Sequence, residues 1–329
     1  MQNSYSLDAL RGSVSHAEKL PALWLWLIRF HIGVVYIYGG IAKFDPDWLG
    51  GLATKELMLI ANRGTILEPL MEYTWAPYLY AWVGMLFDLL VPFLMLCKPF
   101  RKWVFFAAIL FHINNYFVFP IGIFPALSLV LTLMYFDADF PKRMIPKKIR
   151  NMTNFYYHER LSKIENNYSE RDNKNSRTVI SKFLLLFFGL YSIIHIVLPF
   201  RHLFYPGVTN WHEEGHYFAW RMMLRQKITR IQFNVTHPKT GEKRYADPGD
   251  YLNSSQLKVF AGNPGMILLF AHHLDQLVKS NAGFDPIISA NIYVSLNGRP
   301  YRELVDPNLD LSKISAYEPS FNWIKSFEE

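Results

Sequence analysis

Arg29, His31, Asp88, His112 and His195 are ionisable side chains set inside long apolar runs, and they are the first residues here whose position could support chemistry. A charge at bilayer depth costs at least about 2.5–3.5 kcal/mol on insertion scales, so such groups face other helices or a polar cavity. Two readings stay open. One is structural, an Arg29–Asp88 salt bridge with the histidines hydrogen-bonded between helices; the other is a buried polar pocket for a ligand or a proton. Lys43 ends one of these runs. A lysine there can snorkel to the headgroups. Alternatively, Gly39 and Gly40 let another helix approach closely, and the resulting desolvation favours an uncharged amine.

A second pattern is His212-Glu213-Glu214-Gly215-His216, which matches H-E-x-x-H, two helical histidines on zinc with glutamate as general base. It implies a membrane-anchored zinc metalloprotease. Gly215 weakens the helix on which that spacing depends, and no third ligand follows at an identifiable distance, Asp247 and Asp250 being the candidates.

These residues must be positioned by a chain of 329 residues, 51% hydrophobic and 16% aromatic, whose mean hydropathy is near zero. Such an average arises when a lipid-embedded part and a watery part share one chain. Apolar segments concentrate between residues 20 and 200: Leu20 to Ala42, Tyr78 to Leu96, Trp103 to Phe119, Ile121 to Phe136 and Val179 to Phe200. Each is read as a span, about 20 residues being needed to cross the hydrocarbon core. Pro120, Gly122 and Pro125 break the backbone between the third and fourth, which makes a tight turn, a short re-entrant piece or one kinked pair there.

Lys98, Arg101 and Lys102, then Lys142, Arg143, Lys147, Lys148 and Arg150, place their two loops in the cytoplasm. Five crossings then put Lys43 and everything after Phe200 on the extracytoplasmic side. The net charge of +7 is accounted for by these loops, so nucleic acid is not expected as a partner. The single cysteine, Cys97, permits no internal disulfide. Residues 1–19 read as an amphiphilic lead-in without a signal peptide, and 137–178 as a polar cytoplasmic linker.

Residues 201–329 read as a strand-rich mixed α/β domain. Ile231, Phe233 and Val235 alternate with polar residues before the turn His237 to Gly241, and Ile292, Val294 and Leu296 lead into Asn297-Gly298. Between them Met266 to Val278 has helical spacing, with Met266, Leu269, Phe270, His273, Leu274 and Leu277 on one side. The fold expected is a polytopic α-helical membrane bundle of about five spans followed by a strand-rich mixed α/β extracytoplasmic domain.

Tyr36-Ile37-Tyr38-Gly39-Gly40-Ile41-Ala42-Lys43, leading into Phe44-Asp45-Pro46-Asp47-Trp48-Leu49, resembles the lysine-bearing segment of vitamin K-dependent γ-glutamyl carboxylases and their bacterial homologues. Phe87-Asp88-Leu89, Phe111-His112 and Ile121-Gly122-Ile123-Phe124-Pro125 resemble that family's middle helices. Trp211 to Leu224, with Trp220-Arg221-Met222-Met223-Leu224, resembles the start of its outer domain, and Tyr293 to Arg299 with Asp306-Pro307 its late hairpin. The likeness is collinear over nearly the whole chain. It also absorbs the H-E-x-x-H pentapeptide, where the family implies no metal.

The resemblance implies a membrane enzyme that converts glutamate in a protein or peptide to γ-carboxyglutamate. The conversion is coupled to oxidation of vitamin K hydroquinone to its epoxide, with O2 and CO2 as co-substrates. No side chain is basic enough to remove the glutamyl γ-hydrogen, so the strong base must come from the quinol. Lys43 is implied as the initiating base. His112, Asn115, Phe124, Met222 and Met223 are implied for the quinone pocket, and His202, Trp211 and Arg221 for substrate or structure. A homologue that only oxidises quinol, or does no catalysis, is the other reading within the family. The family carries further helices upstream, including an Asn-Asn-His segment, and Ser6-Leu7-Asp8-Ala9 resembles sequence just after it, so a truncated start is expected.

Overall fold

The structure, a computed structural model, describes residues 22–119, 121–137 and 182–327, with 2–3, 16–17 and 140. Apart from those few positions, the lead-in over 1–19, Pro120 and the linker expected over 137–178 lie outside the described residues. In chain order the helices are α1 (Ala22–Ala42), α2 (Pro46–Leu49), α3 (Leu52–Asn62), α4 (Glu68–Met71), α5 (Ala76–Leu96), α6 (Arg101–Val118), α7 (Phe124–Thr132), α8 (Lys182–Val197) and α9 (Thr209–His212). Then come β1 (Lys227–Thr236), β2 (Lys243–Ala246), α10 (Ser254–Phe260), α11 (Pro264–Ala282), β3 (Ile287–Leu296) and β4 (Arg302–Glu303). A helical N-terminal region is thus followed by a four-stranded antiparallel sheet with helices, in strand order β2-β1-β3-β4.

Among the described residues, three helices are long and apolar enough to cross a membrane: α1, α5, and α8 with its 3-10 extension to Phe204. The third and fourth expected spans are also helical. However, α6 begins with Arg101 and Lys102 and carries His112, Asn114 and Asn115, and α7 with its extension covers only Phe124–Tyr135.

The chain divides into two compact units, each discontinuous in sequence. The first comprises Met1–Val34, Val91–Ile113 and Gly122–Ile196. Within it Arg29 donates to the carbonyls of Met134, Tyr135 and Phe136 at 2.8, 3.2 and 3.1 Å, satisfying acceptors at the end of a helical segment that has no further turn to pair with them. The Tyr135 hydroxyl returns a hydrogen bond to the Arg29 carbonyl. The expected Arg29–Asp88 bridge is therefore replaced, because the guanidinium's donors are drawn to exposed carbonyl ends and Asp88 has a different cation. His31 lies 3.1 Å from the Tyr191 hydroxyl and edge-on to His195, the interhelical histidine arrangement anticipated from sequence.

The second unit comprises Val35–Leu90, Asn114–Ile121 and Val197–Glu329. Its sheet forms as the alternation predicts. Ile231 pairs with Ile292 and Phe233 with Ala290, and Phe233, Ile288, Ile292, Val294 and Leu296 pack with Phe260, Ile267, Phe270 and Leu274 in one apolar core. Helix α10 begins with a capping box between Asn253 and Gln256; α11 has Asn263 as N-cap, Pro264 behind it, and left-handed Gly283 closing its end. The buried face of α11 is Ile267, Phe270, Ala271 and Leu274, rotated one residue from the expected stripe, so Leu269 stands 56% exposed and His273 is exposed. Apolar residues surround this helix, and periodicity alone leaves its rotation open.

Candidate functional site

Helix α1 is closed by two glycines and a turn. A Cβ on Gly40 would lie 2.7 Å from a side-chain carbon of Leu89 and 3.1 Å from its backbone nitrogen, so only glycine allows α5 to come this near. That approach brings Asp88 against the chain end. Lys43, 7% exposed, places Nζ 2.6 Å from Asp88 Oδ2 and 3.1 Å from the Gly39 carbonyl, with the Trp48 ring centroid at 5.2 Å. Nζ is turned into the protein and does not reach outward as a snorkelling lysine would. Gly39 leaves a bare patch in this wall. A Cβ there would sit 3.6 Å from both Asp88 Oδ2 and Met222 Cε, so a methionine methyl and the buried ion pair share one corner.

The segment after Lys43 is fixed by two aspartates. Asp45 caps the one-turn helix α2, accepting from the Asp47 N–H, and Pro46 supplies the preset φ of its first residue. The other oxygen of Asp45 accepts from Arg221 Nη2 and Asn210 Nδ2, each at 3.0 Å. Burial raises the Asp45 carboxyl although Arg221 stands beside it, and burial lowers the Arg221 guanidinium. Arg221 Nε is buried and has no hydrogen-bond partner among the described residues.

This pair borders a cavity of about 240 Å³ lined by Tyr38, Phe44, Phe200, His202, Asp45 and Arg221 among others. His202 donates from Nδ1 to the Pro199 carbonyl at 2.8 Å, which leaves Nε2 as the acceptor nitrogen. A concave, largely apolar hollow with a few converging polar groups is the form that small-ligand sites take.

The stretch from Glu213 to Met223 carries Arg221 and Met222 in an unusual backbone: Glu213, Phe218, Trp220 and Met223 all have positive φ. Such a conformation persists only where surroundings enforce it. Glu213 is held by Arg225 at 2.6 Å and Lys227 at 2.6 Å, and Arg225 also reaches His216. Those two cations outweigh the burial of Glu213 and lower its carboxyl; burial lowers His216 to about 4 and Lys227 to about 8. Met223 packs between two apolar clusters that contain Trp48 and Met58.

The zinc geometry is not formed. Helix α9 stops at His212, Glu213 and Gly215 are left-handed, and Glu213 and His216 are engaged by Arg225. Gly215 is needed for packing, since a Cβ would fall 2.6 Å from His202 Cα.

Of the residues singled out from sequence, Lys43, Met222, Arg221 and His202 gather around the chain end of α1 within the second unit. Met223 belongs to the adjoining core. Trp211 is buried in the sheet domain's core, its Nε1 donating to the Lys325 carbonyl at 2.8 Å. Asn115 belongs to the second unit, whereas His112 and Phe124 belong to the first, where His112 is buried against Phe111. Sequence reading missed Asp45, Asn210, Tyr38 and Phe200. An available signal was Asp45-Pro46-Asp47, an N-cap with N1 proline directly behind a candidate base.

Two family descriptions match the chain: the HTTM domain over residues 1–140 and the vitamin K-dependent gamma-carboxylase lumenal domain over residues 180–329. No solved structure matches it. Together with the apolar helices, these matches make the chain a membrane protein with an extracytoplasmic domain.

Proposed function

Because the chain belongs, through both matched domains, to the vitamin K-dependent γ-carboxylase family, we propose that it carboxylates glutamyl side chains of a protein or peptide to γ-carboxyglutamate. The reaction uses CO2, and O2 oxidises reduced vitamin K to its epoxide. Reduced vitamin K, with oxygen, supplies the strong base that no amino-acid side chain provides. The observation that carries this reading is the Lys43–Asp88 pair, buried at 2.6 Å beside the Met222 methyl. An apolar, polarizable wall next to a proton-accepting group fits a flat naphthoquinol, one of whose two hydroxyls would face that group.

Lys43 Nζ is the proposed acceptor of the hydroxyl proton, with Asp88 Oδ2 at 2.6 Å fixing where it stands. The ammonium so formed is stabilised by the Gly39 carbonyl, the Trp48 face and the Asp88 carboxyl oxygen. Met222, Met223 and Asn115, all of the second unit, are proposed for the quinol ring, and His112 and Phe124 of the first unit are proposed as quinone residues on the family resemblance alone. Arg221, with an unused Nε–H, exchanges Asp45 for the substrate carboxylate at the adjoining cavity, where a planar fork suits bidentate pairing. His202 Nε2 is available there to the same substrate. Lys43 and the sheet domain are proposed to share the extracytoplasmic side.

The test is mass spectrometry of a glutamate-rich peptide incubated with membranes holding the protein, reduced vitamin K, oxygen and labelled bicarbonate, with Lys43→Ala in parallel. Label in the peptide and epoxide in the lipid phase are expected, both lost in Lys43→Ala. Epoxide without label reduces the protein to a quinol epoxidase. Label that survives Lys43→Ala removes that lysine from the mechanism.

A further inference from the structure

Asp47 is buried four residues beyond Lys43, and its carboxylate is gripped by the turn at the end of β3. Asn297 Nδ2 donates to Asp47 Oδ2 at 2.9 Å, and Arg299 donates to Asp47 Oδ1 from Nη2 at 2.5 Å and from Nε at 3.2 Å. Asn297 is 0% exposed and engages every polar group of its side chain. Its other Nδ2 hydrogen goes to the Leu224 carbonyl, and Oδ1 accepts from the Gln226 N–H. The turn itself is rigid. Asn297 and Gly298 have φ of 51° and 74°, Arg299 N–H closes it onto Leu296, and Ser295 Oγ donates to the Arg299 carbonyl. Gly298 abuts Glu56 of α3 so closely that a Cβ would overlap it.

We propose that Asp47, Asn297 and Arg299 form a brace that positions Lys43, so that the tip of the sheet domain sets the placement of the base. The proposal rests on reading Lys43 as that base. Asp47 and Trp48 lie in the same short helix, Trp48 presents its ring to Lys43 Nζ, and its Nε1 is tied to the Ala81 carbonyl at 2.9 Å. A carboxylate released from the turn would let this helix tilt and carry the Trp48 ring away from the amine. None of the three braces touches a reacting atom. They are positioning residues, and their loss should appear in turnover without appearing in substrate affinity.

The test uses full-length protein in membranes, comparing wild type with Asn297→Ala, Asp47→Ala, the double variant and Arg299→Lys. The first readout requires no cofactor: acylation of Lys43 by a small amine reagent, followed by mass spectrometry. The second is kcat and KM for epoxide formation. Asn297→Ala is expected to raise Lys43 labelling and to lower kcat by about a hundredfold at unchanged KM. The double variant should be no worse than either single one. Arg299→Lys keeps the charge and loses the fork, so it should fall between wild type and Asn297→Ala, and it carries the test if Asn297→Ala fails to fold. Lys325→Ala, which breaks only the exposed pair with Glu303, should leave both readouts at wild-type values. Wild-type labelling in the folded brace variants, or losses that multiply in the double variant, overturn the proposal. Full epoxidation by Lys43→Ala removes the base while leaving the labelling result to judge the brace.

Discussion

Lys43 Nζ and Asp88 Oδ2 are paired at 2.6 Å with little exposure to water, so each sets what the other can do. Removing one member of a buried pair leaves the other uncompensated. Asp88→Asn is therefore expected to slow single-turnover epoxide formation by about a hundredfold, the share a general base commonly contributes, with peptide KM unchanged; a rate near wild type would dismiss Asp88 as a partner in proton transfer. Arg221 makes a separable prediction. Arg221→Ala should raise peptide KM roughly tenfold to a hundredfold, the worth of a hydrogen bond to a charged group, while leaving epoxide formation at saturating quinol. An unchanged peptide KM in folded protein would leave Arg221 as the structural partner of Asp45. Lys43, Arg221 and Met222 were singled out in the sequence because the motifs of the resemblance carry them, and the structure places them near one another. The partner of Asp88 was not, because charge pairing between helices depends on their rotation, and helices apolar on every side do not encode it.

Glycine positions make the elements approach one another, and Gly215 is the sharpest case. It has φ of 72°, and a Cβ would meet the backbone of His202, which cannot yield as a flexible side chain can. Gly215→Ala is expected to cost about 1–3 kcal/mol, the range for a residue held in a strained backbone region; an unchanged thermal midpoint in detergent would show that the 213–223 segment relaxes freely. Elements whose signal is local were readable in advance. The alternation of Ile292, Val294 and Leu296 into Asn297-Gly298 gave a strand and its turn, since both positive φ values belong to that dipeptide's own chemistry. That H-E-x-x-H would not form a zinc helix was readable from Gly215, whereas the buried face of α11 was not, because it depended on which side the sheet covered.

At the scale of the whole molecule, the sheet domain owes part of its stability to groups that resist protonation. His216 binds a proton only near pH 4 when folded, against 6.5 when free, so the unfolded chain takes up that proton first as pH falls. Its contribution is complete above about 6.5 and is lost progressively toward 4. Glu213 acts in the same direction lower down: its folded carboxyl is held below 4.5 by Lys227 and Arg225, and that stability drains away as pH drops through the folded value. Thermal unfolding of the full-length protein should therefore show a midpoint that falls between pH 6.5 and 4, with His216→Gln flattening the upper part of that slope; a midpoint independent of pH would mean these groups titrate alike in both states. The division into a helical region and a sheet domain was legible from apolar run lengths. The grouping of Lys43 with the sheet domain was not, because it is made by contacts such as Asn297 to Asp47, across 250 residues. That separation is also an interval of time. At about 5–20 residues per second, roughly ten to fifty seconds of synthesis pass between Asp47 and the turn that grips it. A nascent chain thus carries its lysine well before the turn that holds the neighbouring Asp47 exists, and that corner of the structure is completed only as the last strands arrive.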